Sequence, residues 1–232
     1  MLKEENKKKY TYIALFVFML VFIILFRSNK TEFKYRSNED VKEIIIKNIN
    51  KITNNYSLEI ELHKNEEEYK LEYMSDSTMK MYSSDTFPVT GYLIYDSKYY
   101  QLNNNELEKT KTIEINDIFN EKLYNMELIK NITNHCDINN KSLIRANCSV
   151  DLKNFFEEYN KLYNTDIVIP EEGTMNVEFL YDETRIKAIK IDYSNVINYL
   201  ENANDKIIYD IDIVDTNKND FSEYISYIEK NN

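Results

Sequence analysis

The chain has 232 residues, 43% of them apolar and 13% aromatic, so it is not a disordered stalk. Its formal charge of −11 argues against nucleic acid or an anionic surface as partner. Only two glycines occur, which excludes a P-loop, a dinucleotide fingerprint and a Gly-x-Ser-x-Gly nucleophile elbow.

The amino terminus carries Lys7, Lys8 and Lys9 ahead of "YTYIALFVFMLVFIILF", Tyr10 to Phe26, which has no charge, proline or glycine. At about 1.5 Å per residue such a helix approaches the roughly 30 Å hydrocarbon core, with Tyr10 and Tyr12 at the interface and Lys9 and Arg27 at the flanks. The competing reading is a cleaved signal peptide. Against it, "FRSNKTEF" offers no small-x-small cleavage site, and no cysteine follows the apolar run for lipid attachment. The positive-inside rule keeps the lysine-rich end cytoplasmic. The sequence therefore predicts a cytoplasmic basic tail over 1–9, a single-pass transmembrane signal anchor over 10–27, a juxtamembrane linker over 28–36 and one extracytoplasmic domain over 37–232. Residues 28–232 carry a net charge of −14.

Within the domain, "SNEDVKEIIIKNINKITNN" opens on Ser37 as an N-cap, with Val41, Ile45, Ile49 and Ile52 on one helical face. The period then changes to two. "SLEIELH" and "EYKLEYM" place Leu58, Ile60, Leu62, Tyr69, Leu71 and Tyr73 on one face, and "MKMY" at 79–82 continues the series with Met79 and Met81 read as inward. "YLIYDSKYYQL", Tyr92 to Leu102, reads as a hairpin turning at Asp96, Ser97 and Lys98, with Tyr92 and Ile94 opposing Leu93 and Tyr95. A helix is expected around 115–132, then strand "SLIRANCSV", helix "DLKNFFEEYNKLY" and strand "TMNVEFLY" with Met175, Val177, Phe179 and Tyr181 inward. "RIKAIKIDY" shifts phase between Ala188 and Ile189, the mark of a bulge. Ser194 is expected to cap a short helix, and "KIIYDIDIVD" closes the series. The fold class is α+β: a single curved antiparallel sheet, open as a half-barrel, with helices on its concave side.

Chemistry-bearing residues are sparse. His63 and His135 stand in no metal-binding spacing, and His135-Cys136 with Cys148 is the one set that brings soft ligands together. Outside the membrane Cys136 and Cys148 read as a disulfide; two buried thiols are the other reading. Glu59/Glu61 and Asp210/Asp212 sit two apart on strands, on the face away from the apolar positions, where a solvated surface is the plain reading and a hydrolytic pair the sharper one. No cofactor is called for, and an enzyme is not expected.

This order of elements resembles the LolA/LolB-like lipoprotein-carrier superfamily, which includes LppX-type lipoproteins, RseB-like sensors and GerS-type germination proteins. The residues that carry the likeness are "VKEIIIKNINKITN" running into "YSLEIELH", the "YLIYDSKYYQL" hairpin and the "VEFLYDETRIKAIKIDY" pair. Here serine stands where the family's Asp-Gly-Lys-type turn has glycine, and no arginine maps onto the carrier's lid-locking residue. The resemblance implies an apolar cavity between sheet and helices. Tyr69, Tyr73, Tyr95, Tyr99, Phe179 and Tyr181 are its candidate lining for a lipid or other apolar envelope ligand. The alternative is that these side chains fill a core and the domain serves as a protein-interaction or regulatory subunit of a cell-envelope or spore-envelope complex.

Overall fold

The computed structural model describes residues 36–52, 54–84, 91–103, 106–113, 115, 118–140, 142, 144–216 and 219–231. The expected basic tail, anchor and nearly all of the linker lie outside these residues. No described helix is long and apolar enough to cross a membrane.

The first helix, α1 (Asn38–Ile49), begins where the sequence places it. The Asp40 amide donates to Ser37 Oγ and the Ser37 amide to the Asp40 carboxylate, both at 3.1 Å, so two otherwise orphaned donors are satisfied reciprocally. Its apolar stripe of Val41, Ile45 and Ile49, continued by Ile52, is buried throughout.

Eleven strands follow in one antiparallel sheet: β1 (Tyr56–Lys64), β2 (Glu67–Ser75), β3 (Met79–Ser83), β4 (Gly91–Tyr95), β5 (Lys98–Asn103), β6 (Glu106–Thr110), β7 (Asp137–Asn140), β8 (Arg145–Asp151), β9 (Thr174–Tyr181), β10 (Ile186–Asp192) and β11 (Ile207–Thr216). Their spatial order is β6-β5-β4-β3-β2-β1-β11-β10-β9-β8-β7. Two meanders are thus joined where β1 pairs with β11, and β6 and β7, consecutive in sequence, form opposite edges. The chain from Lys111 to Cys136 must cross the whole sheet. It carries α2 (Met126–Asn134) and runs over the apolar inner face, on which α1, α3 (Leu152–Tyr163) and α4 (Ser194–Glu201) also pack.

Register fixes which side chains face inward, since residues paired across an antiparallel ladder share a face. Ile60 pairs with Ile211 and Leu71, and Ile211 continues through Ile189 to Phe179 and Ala146. The β4–β5 hairpin turns on Asp96 and Ser97, both at positive φ (49° and 58°), the backbone of a type I′ turn built without glycine. The ladder of β10 with β9 slips between Ile186 and Ala188, next to the phase shift read from the sequence.

Four expectations are corrected. No single helix spans 115–132: the Asn120 side chain accepts from the Lys122 amide, and Asn125 accepts from the Glu127 amide at 2.8 Å as an N-cap, so the helix starts only at Met126. Ser194 is the first helical residue rather than the cap; its hydroxyl donates to Asp192 and accepts from the Ile207 amide. Met79 and Met81 face outward, because Tyr82, which pairs with Tyr73, fixes the opposite phase for them. Finally, not every helix lies on the inner side. A carboxy-terminal helix, α5 (Ser222–Asn231), joins Phe221 and Ile228 to Met79, Leu93, Tyr100 and Leu102 in a second apolar cluster on the outer face of β3–β5. The linker to it is held by Asn219, whose side chain reaches the Tyr56 and Ser75 carbonyls and the Ser57 hydroxyl.

Cys136 and Cys148 form a disulfide with Cα atoms 5.3 Å apart, which ties the end of the crossover to β8. His135 therefore has no free thiolate beside it; its ring lies 3.3 Å from Glu158. Replacing both cysteines by serine is expected to cost about 3 kcal/mol in urea unfolding, from the loop of 12 residues that the bond closes in the unfolded chain. An unchanged midpoint under non-reducing conditions would show that the bond adds nothing.

Candidate functional site

The inner face is built from tyrosine. Tyr73 packs against the rings of Tyr56, Tyr82 and Tyr124, and the series runs on from Tyr124 through Tyr209 and Tyr193 to Phe155 and Phe156 of α3, at centroid distances of 5.1 to 6.3 Å. Three phenols fasten the crossover to the rest of the domain. Tyr193 Oη donates to the Leu123 carbonyl at 2.6 Å, Tyr163 Oη donates to the Lys122 carbonyl at 2.9 Å, and Tyr209 Oη accepts from the Asn120 amide at 3.2 Å. Glu121 adds an ion pair with Lys80 of β3. Residues 118–125 thus lie closed down on the sheet, with Phe119, Leu123 and Tyr124 buried. Burial pushes the Tyr193 phenol far up. Tyr209 rises only to about 12, because the Asn120 amide that it accepts from opposes the effect of its burial.

Two phenols in this interior have no such bond. Tyr82 Oη and Tyr124 Oη are buried without a geometric hydrogen-bond partner among the described residues, as is Tyr181 Oη farther along the sheet. Desolvation raises the first two most; Tyr124 and then the Glu121 carboxylate, which lies close enough to the Tyr82 hydroxyl to accept from it, raise Tyr82 further, and Glu121 raises Tyr124. Their rings stand 5.1 and 5.5 Å from that of Tyr73. Tyr73 in turn is a wall of a cleft of about 420 Å³ between β1–β3 and the start of α2, whose other walls include Tyr56, Ser75, Lys80, Asn125, Met126 and Lys130. The cleft is mixed in character: two phenyl faces and a methionine, with amide, hydroxyl and ammonium groups and the carboxylates of Asp76 and Glu127 at its edge.

The six side chains read from the sequence as a cavity lining do not meet at one place. Tyr73 walls the cleft. Phe179 and Tyr181 are buried farther along the inner face, on β9. Tyr69 packs partly against the same core and donates its hydroxyl to Glu67. Tyr99 is 38% exposed across from Ile94. Tyr95 points to the other face, where its hydroxyl meets Glu229 of α5 at 3.0 Å. Tyr56, Tyr82, Tyr124, Tyr193 and Tyr209 were not singled out. Tyr209 shares the phase of Ile207 and Ile211, Tyr82 stands in the phase opposite to Met79 and Met81, which the sequence pattern points inward, and Tyr124 lies where a helix is expected.

The outer face is polar, and its register brings the paired carboxylates together. Glu59 stands opposite Asp212, and Glu61 opposite Asp210. Lys70 bonds Glu61 at 2.6 Å and Lys190 bonds Asp210 at 3.2 Å, which leaves Asp212 beside like charges. Its carboxyl is raised by partial burial first and by Asp210 and Glu61 next. These groups border an open depression of about 350 Å³ with Arg145 and Glu178. No metal-holding group of three or more ligands occurs among the described residues.

No protein-family model matches the chain, and no curated protein matches it. Solved structures similar to the chain include the following two. LprF from Mycobacterium bovis is 8% identical with a TM-score of 0.45, over 78% of this chain and 95% of that one. The lipoprotein LppX from Mycobacterium tuberculosis is 5% identical with a TM-score of 0.43, over 79% and 98%.

The raised Asp212 carboxyl sets a pH dependence. A group titrating higher in the folded than in the unfolded state leaves stability intact below the unfolded value, near 4, and lowers it once ionised. Asp212→Asn is therefore expected to stabilise the domain at pH 7 by a few tenths of a kcal/mol, given its exposure, and to lose that advantage below about pH 4. Thermal unfolding across this range measures it; a variant equally stabilised at pH 3 would exclude charge repulsion as the cause.

Proposed function

We propose that the domain is a non-enzymatic, extracytoplasmic binding module, held at the membrane by residues 10–27, that receives an amphipathic envelope ligand at the tyrosine-walled cleft. The acyl or other apolar part of the ligand enters past Tyr56, Tyr73 and Met126 toward the concavity. Its polar end stays among Lys80, Asn125 and Lys130. One observation carries this reading: among the described residues the Tyr124 hydroxyl has no partner and the Tyr82 hydroxyl has only the Glu121 carboxylate near it, one ring behind the cleft wall. A buried hydroxyl without a partner costs about 1–3 kcal/mol, and the same interior pairs the phenols of Tyr163, Tyr193 and Tyr209. An acceptor oxygen on a ligand would relieve both.

A second reading rests on the crossover itself. The inner face is filled by the chain's own residues 118–125, α2 and α3, and a filled core suits a subunit that works through a protein partner. The two readings separate on one pair of substitutions.

Tyr82→Phe with Tyr124→Phe removes both hydroxyls and keeps the rings. In the ligand reading the ligand-free variant becomes more stable by about 1–3 kcal/mol, while its affinity for a lysophospholipid with a fluorescent acyl chain falls about tenfold or more. Full-length protein that binds this probe no more than a control protein does, and that carries no extractable lipid, would overturn the ligand reading and leave the partner reading.

A further inference from the structure

Four of the eight large apolar side chains exposed among the described residues fall in two adjoining stretches, Val168 (76%) and Ile169 (37%) after α3, and Tyr199 (40%) and Leu200 (42%) on α4. The two stretches are joined: Tyr199 Oη donates to the Val168 carbonyl at 2.9 Å, and the Tyr199 ring lies 5.3 Å from that of Phe156 in the core. The loop is fixed as well. After a left-handed turn at Asn164, the Asn160 side chain accepts from the Thr165 hydroxyl and the Ile167 amide and donates to the Ile167 carbonyl. Val168 is thus presented at full reach on a fastened loop. Pro170 restricts the backbone just beyond.

Acidic residues flank both stretches of the patch in sequence, with Lys161 and Lys206 farther off along the chain. Glu171 and Glu172 follow the loop, Asp166 precedes Val168, and Glu201 follows Leu200; all four are exposed. Its place in the fold is also defined. Thr174, at the start of β9, accepts from Asn195 of α4, whereas the far end of β9 leads to the turn where Glu183 pairs with Arg36, the point at which the chain enters the domain. The eight residues of β9 put roughly 26 Å between the two ends. The patch lies at the end of β9 away from Arg36.

We propose that this face docks a protein segment that combines apolar side chains with lysine or arginine. The apolar residues of the partner cover Val168, Ile169, Tyr199 and Leu200, and its cations meet the acidic rim. An exposed apolar group held rigid loses little further entropy on binding, so covering it yields affinity directly. The acidic rim disfavours an anionic lipid surface and, by repulsion between like rims, a second copy of this chain. This surface is separate from the tyrosine cleft and does not depend on a ligand there.

The probe is a synthetic amphipathic peptide of leucine and lysine, with a leucine–glutamate peptide of the same pattern as control, titrated against the full-length protein. Saturable binding of the lysine peptide alone is expected, weaker at high salt. Val168→Ser with Leu200→Ser should weaken it about tenfold or more, the removal of two apolar contacts, and Glu171→Gln with Glu201→Gln should weaken it and flatten the salt dependence. These positions are exposed, so folding is not at stake, and Tyr82→Phe with Tyr124→Phe should leave peptide binding unchanged. Equal binding of both peptides, or binding indifferent to the serine pair, would overturn the proposal. So would a serine pair that abolished self-association or binding to neutral lipid vesicles while leaving peptide binding intact.

Discussion

Strand order is the constraint on which the rest of this structure depends. Because β6 and β7 are the two edges of an eleven-stranded sheet and are also neighbours in sequence, the connection between them has to traverse the sheet. It takes the apolar side. A backbone laid across an apolar face brings amide and carbonyl groups that water cannot reach, and each must find a partner within the fold. Tyrosine supplies it. A phenol buries an aromatic ring against the sheet and presents a hydroxyl at the far end, so one side chain meets both demands. Tyr193 meets this demand at the buried Leu123 carbonyl, and Tyr163 and Tyr209 bond the neighbouring Lys122 carbonyl and Asn120 amide nearer the surface.

The abundance of tyrosine thereby acquires a structural cause, and the exceptions stand out against it. Tyr82 and Tyr124 occupy the same layer without the same bond, beside a cleft that opens on Tyr73. The Glu121–Lys80 ion pair closes the layer on that side. A buried group left unmatched by the fold is a place where an atom from outside can complete it. The outer face follows a different logic. Carboxylates from β1 and β11 stand opposite one another and are bridged by Lys70 and Lys190, so the surface is solvated, acidic and held by exposed pairs.

Local pattern carried much of the fold. The Ser37 cap and the stripe Val41, Ile45, Ile49 are complete within a dozen residues, as are the alternation of β1, β2, β9 and β11 and the Asp96-Ser97 turn; their physics is near-neighbour physics. Three things were out of reach. The sheet's edges were not legible, since β6 and β7 offer Leu107 and Ile138 as their only large apolar residues. The non-helical stretch before Met126 was misread because Phe119, Leu123 and Met126 keep a helical spacing, while Asn120 and Asn125 turn the backbone. The outward direction of Met79, Met81 and Tyr95 follows from α5, which covers the second face of β3–β5 and gives both phases of that segment something apolar to meet. The candidate site shared this limit: Tyr73 was identifiable from its own strand, but its companions Tyr82, Tyr124 and Tyr209 are brought to it only by register and by the crossover.

The central claim is that the crossover closes the inner face as part of the core, fastened by phenol-to-backbone bonds. Hydrogen exchange followed residue by residue tests it most directly. The account predicts that the Asn120 and Leu123 amides exchange as slowly as those of β1 and β11, and that Tyr193→Phe, which leaves the Leu123 carbonyl unpaired, releases the 118–125 stretch ahead of the sheet. Fast exchange across 118–125 in the unaltered protein, with β1 and β11 still protected, would contradict it and mark the crossover as a loose cover over an accessible face.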